Sequence, residues 1–268
     1  MRSRIGVLAF VLASLAAAQQ SAPPAVLRHV GIDQKLNQQV PLDLPFVDES
    51  GRRVEIGQYL GKRPVVLALV YYQCPMLCNL VLNGMVHSLE KISLTPGKDY
   101  EMVTVSFDSR ETHQMAAAKK KNYVEKFDRP GVADGWHFLT GDDGPIRKLA
   151  DSVGFRYTYD PLTNQFAHAA AIMVLTPDGR VARYFFGVDY NPQDVRLGLV
   201  EASDNKIGTP VDQLLLYCFH YDPSRGKYGF VIMNVIRAVG SATVLALGTF
   251  IFVMLRRDSR KKHGPEEA

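Results

Sequence analysis

The sequence predicts one α/β domain, a β-α-β half followed by a β-β-α half, with a membrane helix near its C-terminal end. Three observations lead there. Residues 65–72 form an almost continuous apolar run, as in a strand covered on both faces of a sheet. Leu77, Leu80, Val81, Gly84, Met85 and Leu89 then recur at helical spacing. Further on, two apolar runs flank Pro177-Asp178-Gly179, and Asn191-Pro192 opens a capped helix.

Taken in order, residues 1–18 read as a signal peptide. Arg2 and Arg4 form a charged start, residues 5–15 are mostly apolar, and Ala16-Ala17-Ala18 offers an A-x-A cleavage site before Gln19. An uncleaved signal anchor is the alternative, but the run is short for a full span. Residues 19–38 are a polar leader, and the folded domain is assigned to residues 39–205. It begins with a hairpin over residues 46–54, turning at Ser50-Gly51. A strand at 101–107 precedes a helix at 111–127, where Asp108 and Glu111 would complement the helix dipole and Lys119, Lys120 and Lys121 would form a solvated face. Strands at 136–139 and 155–159 flank a helix at 146–153 as an insertion, before the hairpin of 170–175 and 181–186 and a helix to residue 203. This order is thioredoxin-like.

Residues 206–237 are a juxtamembrane linker, and residues 238–255 are apolar without a charge. At about 1.5 Å per residue this run reaches ~27 Å, close to the hydrocarbon thickness of a bilayer. A buried core helix would have the same composition, yet only a short polar tail, residues 256–268, follows. Arg256, Arg257, Arg260, Lys261 and Lys262 place that tail in the cytoplasm by the positive-inside rule, and the domain on the extracytoplasmic (periplasmic) side. The net charge of +4 is confined to the two ends, the tail holding five basic against three acidic residues. A neutral body carries no electrostatic footprint for nucleic acid, and that class is excluded.

The chain has three cysteines, Cys74, Cys78 and Cys218, too few for a disulfide scaffold. Cys74 and Cys78 fall where a buried strand passes into a helix. Four residues apart on a helix they would share a face, about 6 Å between α-carbons, which suits a disulfide or two sulfurs on one metal ion. A helix N-terminus favours the thiolate that both chemistries need. Thiolates suit Cu(I), and an added imidazole accommodates Cu(II). Redox proteins of this order carry two residues between their cysteines and a proline before the following strand. Here three intervene, and Gln165-Phe166-Ala167-His168-Ala169 has a histidine and no proline. A metal site, thiol–disulfide exchange and a structural bridge all remain open on these residues.

Gln73-Cys74-Pro75-Met76-Leu77-Cys78 after an apolar strand, Ser106-Phe107-Asp108-Ser109-Arg110-Glu111-Thr112, Trp136-His137-Phe138-Leu139-Thr140-Gly141, and His168 before Ala170-Ala171-Ile172-Met173 together resemble the Sco/SenC family over residues 31–203. The resemblance implies a copper chaperone for the binuclear CuA centre of cytochrome c oxidase, with Cys74, Cys78 and His168 as metal ligands and Cys74 and Cys78 as a redox disulfide. It implies no catalytic residue. The oxidase subunit carrying the CuA site would be the partner, along with the membrane and a further copper chaperone or thiol reductant. Three features depart from the family pattern. Asn79 stands where a proline commonly follows the second cysteine, Ala167 and Ala169 flank the histidine where Asp and Ser are common, and the anchor is C-terminal.

The competing functions are a thiol–disulfide reductase serving the oxidase's copper-site cysteines, and a peroxidase, which would need an activating arginine beside Cys74. Cys218 and His220, two apart before the membrane run, are a candidate second and weaker copper site, or an incidental thiol in an aromatic segment. Met76 and Met85 are expected to pack in the core, and His87, His113 and His137 to be structural or superficial.

Overall fold

The computed structural model describes residues 29–207, 221–222, 227–228 and 230–261. Its centre is a five-stranded sheet. β4 (Val65–Val70), β5 (Glu101–Ser106) and β6 (Trp136–Leu139) run parallel, with Val65 opposite Glu101 and Met102 opposite Trp136. β9 (Ala171–Leu175) lies antiparallel on the other side of β4, and β10 (Val181–Phe186) completes the order β10-β9-β4-β5-β6. Every residue of β4 is buried, because it is the middle strand and both faces are covered.

The βαβ crossover is α1 (Leu77–Glu90), and α2 (His113–Phe127) connects β5 to β6 through a short helix, α3 (Val132–Gly135). After the β9–β10 hairpin, α5 (Pro192–Ser203) packs against α1. Asn191 caps α5 by accepting the N–H of Gln193 at 2.9 Å and that of Asp194. The expected β-α-β and β-β-α halves are therefore both present. So is the N-terminal hairpin, β2 (Pro45–Val47) with β3 (Arg53–Glu55), whose turn places Gly51 at φ 85°.

The insertion after β6 holds α4 (Asp143–Ser152), β7 (Phe155–Asp160) and β8 (Gln165–His168). β7 pairs antiparallel with β8 and with the short N-terminal β1 (Gly31–Ile32), making a second sheet in the order β1-β7-β8. Sequence pattern alone predicted β7 and missed β8. Only Phe166 in β8 is a strong strand former. The strand exists because Asp160 ties down the turn, accepting the Leu162 N–H and the Thr163 hydroxyl at 3.0 Å each, with Asn164 at φ 55°.

Two helix starts differ from expectation. α1 begins at Leu77, so Cys74 lies in the preceding loop and the two cysteines do not share a helix face. α2 begins at His113 after Thr112, and neither Asp108 nor Glu111 falls in its first turn. Asp108 instead forms an ion pair with Arg110 at 2.7 Å.

Near the C-terminus, a two-residue pair, β11 (Tyr221–Asp222) with β12 (Lys227–Tyr228), precedes α6 (Phe230–Lys261). This 32-residue helix contains Arg237–Met254, with mean hydropathy 1.7 and no part buried against the rest of the protein. Among the described residues it is the one helix long and apolar enough to cross a membrane.

Candidate metal centre

The site forms where β4 ends. Beyond Val70 the chain turns, and the Cys74 N–H donates to the Tyr71 carbonyl at 3.3 Å. The loop is held from beneath by the buried carboxylate of Glu111. It accepts the N–H groups of Tyr72 and Gln73 at 2.7 Å each and the Ser106 hydroxyl at 2.6 Å. From α2, the Lys119 ammonium donates to the Tyr72 carbonyl at 2.9 Å and to Asn79 Oδ1 at 2.7 Å. Asn79 in turn donates through Nδ2 to the Cys74 carbonyl at 3.3 Å. A proline at position 79 could make neither side-chain bond. Glu111 and Lys119 are thus corrections to the sequence reading: a loop clamp replaces a helix cap, and a half-buried bridge replaces the first residue of a solvated face. No spacing rule marks either one, because the loop groups they hold lie about forty positions away in the chain.

The sulfurs continue this hydrogen-bonding pattern. Met76 precedes α1 with no side-chain cap, and Cys74 Sγ accepts the Cys78 N–H at 3.3 Å, satisfying one of the free donors of the first turn. Cys78 Sγ accepts the Tyr71 N–H at 3.3 Å. Both thiols are free.

His168 arrives from β8, opposite Tyr157 in the ladder. Its Nδ1 lies 2.9 Å from the Ala169 carbonyl. A carbonyl only accepts, so Nδ1 carries the proton, and in the neutral imidazole Nε2 keeps its lone pair. Nε2 points at Cys78 Sγ, 3.4 Å away. The ring is bracketed by Tyr71 and Phe107 at centroid distances of 6.0 and 5.2 Å. The missing acidic neighbour at position 167 or 169 is made good by the backbone, which performs the orienting task that a carboxylate performs elsewhere.

One donor atom from each of Cys74, Cys78 and His168 lies within 4.8 Å of the others, the one group of its kind among the described residues. Bonds of about 2.3 Å to sulfur and 2.0 Å to nitrogen at tetrahedral angles require S···N near 3.6 Å and S···S near 3.8 Å. The Cys78–His168 separation already meets the first requirement. The thiols are unequal. The hydrogen bond from Cys78 is the main influence pulling Cys74 down to about 3 against its burial, helped by backbone N–H groups. Burial first, and the neighbouring Cys74 second, push Cys78 well above the ordinary thiol range.

Other residues singled out by the sequence fall elsewhere. Met85 is buried in α1, as expected, while Met76 is 67% exposed and does not pack. His87 lies beside Lys91, His113 against Gly51, and His137 faces Tyr59 at a centroid distance of 4.2 Å with the rings tilted by 32°. Cys218 and His220 lie outside the described residues.

A five-stranded α/β sheet with a dithiol at the end of its middle strand, and a histidine facing it, defines a thioredoxin-fold protein equipped to hold a metal ion. More particularly, the chain belongs to the SCO1/SenC family, whose model matches residues 33–200. A solved protein of Aquifex aeolicus VF5 is 27% identical, with TM-score 0.57 over 63% of this chain and 95% of its own. Two others support the fold. A SCO1/SenC family lipoprotein of Bacillus anthracis str. Ames is 17% identical, with TM-score 0.51 over 65% of this chain and 99% of its own. BsSco, described as a member of the Sco family of cytochrome c oxidase assembly proteins and as having a disulfide switch, is 21% identical with the same TM-score and coverage. Comparison with curated proteins gave no match.

Proposed function

We propose that this chain is a membrane-anchored copper chaperone that helps assemble cytochrome c oxidase, delivering copper to the CuA centre. The observation that carries the reading is the convergence of Cys74, Cys78 and His168, with the imidazole lone pair already aimed at a sulfur. Two soft thiolates and one imidazole suit Cu(I), and the nitrogen also accommodates Cu(II). Membership of this family, together with the description of BsSco as a Sco-family cytochrome c oxidase assembly protein, supports the oxidase as the assembly target. The ion passes by ligand exchange to the oxidase subunit that carries the CuA site, after loading from another copper chaperone. A thiol reductant returns the pair to the dithiol form, since oxidation removes two ligands at once. The apolar stretch of α6 anchors the chain once, with the basic tail in the cytoplasm and the copper domain on the outer side.

The test is a copper titration of the reduced full-length protein in detergent, beside Cys74→Ser, Cys78→Ser and His168→Ala. One equivalent bound by the parent, and weaker binding by all three variants, is the expected result. The unequal thiols favour a second reading, thiol–disulfide exchange. In that reaction the Cys74 thiolate attacks a partner disulfide and expels one partner thiolate. Cys78 then resolves the mixed disulfide, leaving a Cys74–Cys78 bond and two partner thiols. It requires both cysteines and tolerates His168→Ala, so failure to bind copper together with turnover in the His168 variant would replace the chaperone reading.

A further inference from the structure

All three converging donors are buried: Cys74 exposes 6% of its surface, Cys78 none and His168 9%. An ion arriving from solvent needs something to meet first. Met76, between the two cysteines, is 67% exposed. Methionine beside a core helix ordinarily fills a gap in the packing. Here the backbone keeps it out. Met76 stands before the first residue of α1 at φ −143° and ψ −70°, outside helical geometry, so its side chain does not follow the buried face of that helix.

Its carbonyl accepts the Leu80 N–H at 3.1 Å, which ties it to the start of α1. Upstream, the loop that leads to it is held by the Glu111 bonds to Tyr72 and Gln73 and by the Lys119 bond to the Tyr72 carbonyl. The outcome is an exposed thioether two residues along the chain from the buried Cys74 sulfur.

We propose that Met76 is the first-contact ligand for Cu(I), taking the ion from its donor and passing it inward to Cys74. This rests on the copper reading above. A thioether is a soft donor that selects Cu(I), and it has no proton to lose before binding. Its three rotatable bonds allow the sulfur to move between solvent and the space above Cys74. In the first step a copper–donor bond breaks as copper–Met76 forms. Next, copper–Cys74 forms, and the Met76 bond breaks as Cys78 and His168 complete the site. The Cys78 proton is released to solvent, and copper remains Cu(I) throughout, so no oxidant or reductant is required.

The experiment follows transfer from the bis(bicinchoninate) complex of Cu(I) to reduced full-length protein in detergent, by stopped-flow absorbance, with the final affinity measured separately. Met76→Leu keeps size and apolar character and removes the ligand. It is expected to slow capture by about tenfold or more with little change in final affinity, as for a ligand used only on the way in. Met76→His, which restores a donor, should recover part of the rate, and Cu(II) uptake should not respond to Met76→Leu. Capture by Met76→Leu at the parent rate would overturn the proposal. So would an affinity loss matching the rate loss, which would make Met76 a resident ligand. A parent protein that takes no Cu(I) would remove the copper reading and this inference with it, whereas a parent that loads normally while Met76→Leu is unaffected removes this inference alone.

Discussion

The two thiols of the centre differ because one donates to the other. Cys78, held high by burial, keeps its proton and shares it toward Cys74, which is thereby held as a thiolate at neutral pH. Its folded value near 3 lies below an ordinary thiol, so the thiolate persists as pH falls through the window where a free cysteine reprotonates. Alkylation of the metal-free reduced protein, mapped by mass spectrometry, should label Cys74 almost equally fast at pH 8 and pH 5. A decrease on the order of 1000-fold across that range, the behaviour of a thiol with pKa about 8.5, would show the assignment to be wrong. A second prediction concerns Glu111. Glu111→Ala strands the buried Tyr72 N–H and Ser106 hydroxyl and frees the part-buried Gln73 N–H, and should destabilise the protein by about 2 kcal/mol in chemical denaturation; a change below about 0.5 kcal/mol would count against the clamp. Cys74 and Cys78 stand out in the sequence through their local spacing, whereas His168, ninety positions beyond Cys78, was singled out by residue type and by the family resemblance. Glu111, Lys119 and Met76 were misread because their surroundings are set by residues distant in sequence.

Among the elements, α1 positions Cys78 and depends on a close approach. A Cβ at Gly84 would sit 1.9 Å from the Val188 carbonyl oxygen, a backbone atom that cannot swing aside. Glycine to alanine inside a helix ordinarily stabilises by about 1 kcal/mol, so the sign is diagnostic. Gly84→Ala should instead lower the thermal midpoint and cost about 2 kcal/mol or more, as an overpacked interface does; a stabilised variant would mean α1 does not sit this close to the chain around residue 188. The elements legible in the sequence were those with their own signal: the apolar run of β4, the helical spacing of α1, the Asn191 cap and the two hairpins. β8 lacked one, since its strand character comes from the β7 ladder and the Asp160 turn. That strand delivers His168, so the histidine could be picked out by its residue type before its position had a structural reason.

For the whole molecule, the chain holds a folded domain with the converging donors and an apolar helix, α6, none of whose membrane-length stretch is buried. If α6 spans the membrane in the proposed sense, a C-terminal alkaline phosphatase fusion should be inactive and one joined after Ser203 active, and the reverse pattern would invert the topology. Composition made this division legible, because an uncharged apolar run beside a basic tail needs no tertiary context to be noticed.

The bond from His168 to the Ala169 carbonyl has a consequence for how freely this centre can vary. A main-chain oxygen is present whatever residue occupies position 169, so the aim of the imidazole is inherited with the β-strand path and no single codon encodes it. Position 167, which is only half-buried, is consequently open to drift or to deliberate redesign, whereas the buried Ala169 is held by packing. An acidic or hydroxyl group could be introduced at 167 to retune metal preference while the nitrogen that faces the sulfurs stays the same.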